Sequence, residues 1–586
     1  MHHLLSFLDD ALQNHFDWLC FYVFFALALA FPRLGNFAFA PIERIGSRLA
    51  AHKGFCVAAI SLAAIVIRVA FLGVDYVPVP LVHDEFSYLL AGDTFAHWRL
   101  TNPTHPMWIF FESFHTIQHP SYASKYPPAQ GMVLALGQIF GHPWIGVLLS
   151  VGVMCGAVLW MLQGWLPARW ALYGGVLVLL RFAVFNDWVE GYWGGAVAAI
   201  GGALVMGALP RIMRAARPRY AVWMGLGASI LANSRPLEGL IFFATVIVAL
   251  GLWIRKQPAA DRANIYARVV FPMAAVLLVC AGWIGYYNWR VTGHALLFPY
   301  VVYQRTYDPE PFFVWQSRRP TMTYNNPQFA NFYNVWEPQQ FGGGWDDIMD
   351  ATGVKISEFF NFFFNKELAL GLLGIPWVLW RDRRKRFLGA QFGVCLVGML
   401  CVIWFWPHYA APLMGTTFAL LVQGMRRVRR WRVRGWRVGF GLTRAVVLVS
   451  LGWIVSQVQG LGSTPFEVND STVSVFQRDY FDSQLQNAPG QQLVIVRYGP
   501  QHNPNQEWVY NGADIDHAKV VWAREIPGVS IQPLLDYFRG RRVWLAQPDV
   551  TPLQLTPYAP PAAASRPAAD GQPSAAQAPN ARATAR

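Results

Sequence analysis

The 586-residue chain is short of charge: only 14% of its residues are Asp, Glu, Lys or Arg. A soluble domain carries about a quarter, so the deficit excludes a soluble globular enzyme of this length. Cysteine is also scarce. The six residues Cys20, Cys56, Cys155, Cys280, Cys395 and Cys401 all fall inside apolar runs, and none has metal-ligand spacing. They read as small buried hydrophobes, without a disulfide framework for exposed parts. The start of the chain lacks the basic segment and small-residue cleavage site of a signal peptide. The first apolar stretch, 16–32, is therefore expected to stay in the membrane.

What the chain does have is hydrophobic bulk. It is 54% hydrophobic, with 26 Trp and 41 Phe, and aromatic rings gather at membrane interfaces. The net charge of +14 calls for no nucleic-acid partner, because much of the Lys and Arg lies in short clusters between apolar runs. That pattern orients a membrane protein.

A span needs about 20 apolar residues. Twelve candidate spans lie near 16–32, 55–74, 144–166, 170–186, 193–210, 221–236, 237–254, 269–289, 359–380, 387–406, 408–425 and 443–460. Five basic clusters then fall on one side. They are 33–53, 211–219, 255–268, RDRRKR (381–386) and RRVRRWRVRGWR (426–437). By the positive-inside rule that side is the cytoplasm. The stretch 131–140 is too short to cross and is expected to lie along the outer face.

The expected fold class is an α-helical polytopic membrane protein with about 12 transmembrane helices, large outer loops and a small C-terminal α/β domain. Its divisions are an N-terminal span and linker (1–54), a transmembrane domain (55–460) with outer loops 75–143 and 290–358, a small domain (461–550), and an Ala/Pro-rich disordered tail (551–586). In the small domain QQLVIVRY (491–498), KVVWARE (519–525) and RRVWLAQP (541–548) read as buried strands. VSVFQRDYFDSQL (473–485) and VSIQPLLDYFRG (529–540) read as helices.

Charges at membrane depth are costly and mark function. Arg68, Arg181, Asp187, Glu190, Arg235, Glu238 and His408 all converge on the outer level of this topology. The plainer reading is that segment ends carry charges near water. It explains the group less well, because acids and bases both recur at tight outer turns. The first outer loop opens with VHDEFSYLLAGDTFAHWRL (82–100), which places Asp84 and Glu85 at a helix start. There they serve as a cap and first-turn acid or as a reactive pair. Two adjacent carboxylates on a helix point in different directions, so at most one faces a substrate. Lys125 follows in SKYPPAQ (124–130), ahead of a Pro pair that starts a helix.

These residues resemble the GT-C superfamily of polytopic glycosyltransferases, which includes protein O-mannosyltransferases and bacterial aminoarabinose transferases. The elements that carry the resemblance are an outer arginine, an Asp-Glu pair opening the first outer loop, a Lys-Tyr-Pro-Pro element, YWGGA (192–196) and HYAAP (408–412). They span roughly residues 55–425. The resemblance implies transfer of a sugar from a polyprenyl-phosphate carrier to a lipid, glycan or protein acceptor at the outer, periplasmic face of an inner membrane. It implies Asp84 as catalytic base, with Glu85 orienting the acceptor or binding a metal. Lys125 with Tyr126 would lie near the lipid phosphate, and His408 with Tyr409 near the donor. Arg68, Arg181, Asp187, Glu190, Tyr192 and Arg235 complete the expected substrate-binding set. No second metal-binding acid motif is evident, so a divalent metal ion stays open and no other cofactor is expected.

The second outer loop is rich in aromatics and amides, including Tyr300, Tyr303, Tyr307, Trp315, Tyr324, Asn325, Asn326, Tyr333 and Trp336. These suit sugar binding or interfacial anchoring equally. Competing functions are a transporter or flippase for a lipid-linked or small anionic substrate, a glycan ligase or polymerase, and a receptor working through EWVYNGADID (507–516). A transporter places its polar groups near the midplane, in repeats. Here mid-span positions are almost free of charge.

Overall fold

The computed structural model describes residues 16–73, 77–340, 345–458 and 470–559. Every expected span coincides with a helix, a broken helix or a helix led by a tight turn. Prolines start several of them, at Pro128, Pro143, Pro218 and Pro236, where a missing N–H costs nothing.

Half of the twelve expected spans have the length and apolarity of a single crossing helix. Among the described residues six helices are long and apolar enough to cross a membrane: Lys53–Gly73, Pro143–Trp165, Gly195–Arg214, Pro236–Arg255, Ala259–Thr292 and Val438–Val458. A bent pair makes a possible seventh. The helices Phe16–Ala30, Ala168–Phe182, Pro218–Ala232 and Met414–Val428 have 15 residues each. At 1.5 Å per residue that is about 22 Å, short of a hydrocarbon core of about 30 Å. Hydropathy alone merges such helices with their flanking turns.

The bent pair corrects the expected span 359–380. Asp346–Phe363 and Asn365–Arg381 meet at 90°. A break leaves carbonyls without partners at membrane depth. Arg181 supplies them: its guanidinium donates to the carbonyls of Phe362 (2.8 and 3.0 Å) and Asn361 (3.0 Å).

Small residues let the helices approach closely. A Cβ on Gly146 would stand 2.0 Å from the Val133 carbonyl, and one on Gly202 would stand 2.2 Å from that of Pro412. The first contact fixes Pro128–Ile139, the helix after Lys125, against Pro143–Trp165. The second fixes Gly195–Arg214 against the 3-10 turn Pro407–Leu413 that carries His408 and Tyr409.

The first outer loop carries the helix His83–Ala96 and a short antiparallel pair, β1 (Thr116–Ile117) and β2 (Ala123–Ser124). The C-terminal region forms a four-stranded sheet of β3 (Gln492–Val496), β4 (Val520–Arg524), β5 (Arg542–Ala546) and β6 (Leu555–Pro557), ordered β4-β3-β5-β6. The first three strands are parallel and β6 is antiparallel. The sheet therefore runs past 550, where a disordered tail was expected to begin; residues 560–586 lie outside the described set.

Alternate strand residues bury both faces. Leu493, Ile495, Val521 and Ala523 pack with Leu90, Phe110, Phe111 and Tyr122 of the first outer loop. Val494, Val496 and Trp522 pack with Leu485 and Trp508 on the other face. The sheet thus shares a core with the loop that bears Asp84 and is not packed alone.

Arg524 at the end of β4 ties these parts together. It is fully buried with Glu507, donates to Gln328 Oε1 (3.0 Å) and the Glu112 carbonyl (3.2 Å), and forms an ion pair with Glu507. Glu507 also accepts from the Val509 amide (2.8 Å) and from Tyr498. Arg524→Met should cost about 3–5 kcal/mol, since it strands a buried carboxylate. Arg524→Met with Glu507→Leu should recover much of that. Urea unfolding in detergent, read by protection of the sheet from proteolysis, checks both; a double variant no better than the single one would contradict the assignment.

Candidate active site

Asp84 and Glu85 occupy the first turn of His83–Ala96 and point apart. Glu85 is buried. Its Oε2 accepts from the amides of Leu81 (2.7 Å) and Val82 (3.2 Å), and its Oε1 from the Tyr192 amide (2.7 Å). The Val82 bond is the return bond of an N3 glutamate to the N-cap amide, and the Glu85 amide in turn donates to the Val82 carbonyl (3.0 Å). The Tyr192 bond pins the turn 186–193 onto the loop. Glu85 is a clamp on backbone, in place of the acceptor-orienting or metal-binding group expected. Burial raises its pKa to about 7.

Asp84 stays partly open, with about a quarter of its side chain exposed. Tyr126 donates its hydroxyl to Asp84 Oδ1, and His115 Nε2 lies 3.8 Å from Oδ2. Burial holds the pKa of His115 well below its usual value, with Lys125 adding to the effect. The imidazole is therefore neutral beside Asp84. His83, next in sequence, stacks on Phe114 (4.3 Å) and bonds the Pro504 carbonyl (2.9 Å). Burial brings its pKa down to about 4.

Tyr126 stands at the edge of a cleft of about 220 Å³. The cleft also takes Lys125, Arg235, Tyr300, Asp308, Trp404 and Tyr409. Its apolar walls include Leu237, Ile284, Pro299, Val301 and Phe312. Lys125 is buried, with Nζ 4.7–5.2 Å from the ring centres of Tyr303, Tyr300 and Tyr126. Burial lowers its pKa, while Asp84, Asp308 and Glu337 oppose that and favour the ammonium. Arg235 caps the helix Pro236–Arg255 and lies 4.2 Å over the Tyr409 ring. Neither Lys125 nor Arg235 is in an ion pair among the described residues. Two cations and a helix N-terminus therefore border one cavity, an arrangement that attracts anions.

The structure thus gathers Asp84, Lys125, Tyr126, Arg235 and Tyr409 and leaves the other expected residues aside. Arg68 is buried 5.2 Å over the Trp144 ring. Arg181 caps the broken helix, with Asp187 near enough to act on its charge. Tyr192 bonds the Pro78 carbonyl (2.8 Å) and holds the loop, and Glu190 shares its turn. His408 is buried against Trp193 (4.5 Å) and leaves the cleft to its neighbour Tyr409.

The second outer loop is mostly packing: Tyr303, Tyr307 and Tyr333 share a core with Phe114 and Phe329. Asn325 and Asn326 hold buried Glu112 (3.1 and 3.4 Å), Trp315 is exposed, and Tyr300 alone of the nine expected residues lines the cleft. Of the recognition candidates, Trp508 is core and Tyr510 stacks on Phe86 (3.8 Å). Asp308 and Glu337 were missed. Burial raises the pKa of both carboxyls, and no motif marks either. Among the described residues no three His, Cys, Asp or Glu side chains group to hold a metal ion.

No family model matches the chain, and no curated protein does. Among solved structures the chain is similar to ArnT from Cupriavidus metallidurans bound to undecaprenyl phosphate, with 14% identity over 84% of this chain and 92% of that one (TM-score 0.48). It is also similar to the Archaeoglobus fulgidus oligosaccharyltransferase with zinc and sulfate, with 13% identity over 75% of this chain (TM-score 0.43). The same archaeal enzyme, AglB, with an inhibitory peptide and dolichol phosphate matches at 14% identity over 76% of this chain (TM-score 0.43). The chain spans about 60% of the length of the archaeal protein.

Glu85 makes stability pH-dependent. Its folded pKa of about 7 exceeds the ordinary 4.5. The unfolded chain therefore releases this proton first, and stability falls as pH rises from 4.5 to 7. The loss from this one carboxyl is roughly 3 kcal/mol. Glu85→Gln should flatten that slope relative to wild type, whatever its baseline stability. Thermal unfolding in detergent across this pH range would refute the clamp if the two slopes matched.

Proposed function

We propose that the protein is an inverting glycosyltransferase that uses a polyprenyl-phosphate-linked sugar. One observation carries the reading: buried Lys125 and half-buried Arg235, in no ion pair among the described residues, border the same apolar-walled cleft as Tyr126, which donates its hydroxyl to Asp84. A lipid phosphate needs an apolar path for its chain and fixed positive charge for its head. Leu237 and Ile284 offer the first, and Lys125, Arg235 and the helix N-terminus the second.

The chemistry follows from that placement. Asp84 takes the proton from the acceptor group. The acceptor oxygen or nitrogen bonds the anomeric carbon while the bond from that carbon to the phosphate oxygen breaks. Negative charge grows on the leaving phosphate, and prearranged cations stabilise it. General-base assistance of this kind contributes about 10²–10⁴-fold. Tyr126 orients the Asp84 carboxylate, and Glu85 positions the helix that presents it. The basic clusters orient the cleft outward, toward the periplasm of a bacterial inner membrane. A transporter would need its charges deep in the spans, whereas Asp84, Lys125 and Arg235 lie at or before helix starts.

In proteoliposomes supplied with a radiolabelled polyprenyl-phosphate sugar and acceptor, wild type should release free polyprenyl phosphate. Asp84→Asn should lower release by at least about 10²-fold with unchanged thermal unfolding. Lys125→Met should weaken binding of the free carrier phosphate as well as turnover. Equal release by wild type and Asp84→Asn would remove Asp84 from the chemistry. Absence of release with every donor sugar, together with donor uptake across the bilayer, would turn the assignment to transport.

A further inference from the structure

A second cavity, of about 600 Å³, lies at the other end of the helix bundle. The helix Met414–Val428 fixes its place. The turn before this helix puts Tyr409 in the cleft, and its last turn puts Arg426 in the second cavity. The helix length separates them by about 22 Å.

The cavity is built from four segments: Asn36–Leu49, Ala168–Phe182, the last turn of Met414–Val428 with the two residues after it, and Val438–Val458. Leu172, Val176, Val447, Ile42 and Trp170 make its body apolar. Arg169, Arg426, Arg429, Arg430 and Arg444 make its rim basic. Glu43 is its one acid. It takes Arg429 (2.8 Å) and Arg444 (3.0 Å). Arg169, Arg426 and Arg430 are in no ion pair among the described residues. Arg169 and Arg430 act on Arg426 with like charge, opposed only by Asp382. Such crowding is costly unless an anion joins it.

The helix Asn36–Leu49 has no fully buried residue and exposes Phe37, Ile42, Ile45 and Leu49. Apolar side chains presented by a helix that also carries Glu43, Arg44 and Arg48 suit the headgroup boundary of a bilayer. The cavity therefore opens where lipid headgroups lie. It has a charged rim for a phosphate and an apolar body for acyl chains, which is the chemistry of an anionic phospholipid. A free phosphate would use the rim and leave the body unfilled.

We propose that this cavity binds an anionic phospholipid, with Arg169, Arg426 and Arg430 on the phosphate and the Trp170–Val176 wall against its chains. The site is independent of the cleft and of its chemistry.

The test is competition for a fluorescent phosphatidylglycerol bound to the detergent-solubilised full chain. Unlabelled phosphatidylglycerol should compete at least tenfold better than phosphatidylcholine. R169Q/R430Q should weaken binding at least tenfold with unchanged thermal unfolding, because both side chains are exposed. V176W leaves every charge in place and fills the body, and should weaken binding as strongly. Equal competition by phosphatidylcholine would overturn the proposal, as would unchanged binding in both variants. Displacement by inorganic phosphate as effective as that by phosphatidylglycerol would overturn the lipid as occupant.

Discussion

The Glu85 carboxylate is the contact on which the geometry around Asp84 depends. Three backbone amides from two separate segments converge on it. A buried carboxylate with no such bonds would be far too costly to keep. With them it fixes the start of His83–Ala96, the strand-like approach before it and the turn at Tyr192 in one geometry. The direction of Asp84 then follows from the helix, because adjacent side chains project about 100° apart around its axis. One acid is spent on the scaffold, which leaves the other free to take the hydroxyl of cleft-lining Tyr126.

The same economy governs the arginines. In a membrane protein every backbone carbonyl at depth needs a partner. Arg181 answers that need at the 90° break after Phe363. Arg524 does comparable work outside the bilayer, where the sheet meets the first loop. Both sit beside aromatic rings, as Arg235 does. What separates Arg235 is that its charge borders a cavity and the other two charges are used up by protein acceptors.

This explains which parts of the molecule were legible in the sequence. Helix positions were, because apolar runs and Pro at N1 leave direct marks. So were Asp84, Lys125, Tyr126, Arg235 and Tyr409, since each stands next to a helix start or turn. The roles of Arg68, Arg181, Glu85 and His408 were not. An arginine that caps a carbonyl and one that borders a cavity occupy the same kind of position in a hydropathy profile. The break at Phe364 was hidden inside a continuous apolar run. The strands of the C-terminal sheet were visible as apolar runs, but their partner was not. A strand buried on both faces does not say what covers it, and here one cover is Phe110 and Phe111, nearly 400 residues earlier.

The shared core has a mechanical consequence for the cleft. Tyr126 and Lys125 hang from β2, and the loop before β1 is packed under the C-terminal sheet through Phe110 and Phe111. His83 reaches the same region through the Pro504 carbonyl, and Phe86 through Tyr510. The helix bearing Asp84 is thus held from below by Glu85 and Tyr192 and from above by residues 504–523. The sheet thus supplies a packed wall over the helix that bears Asp84 without contributing a cleft-lining residue.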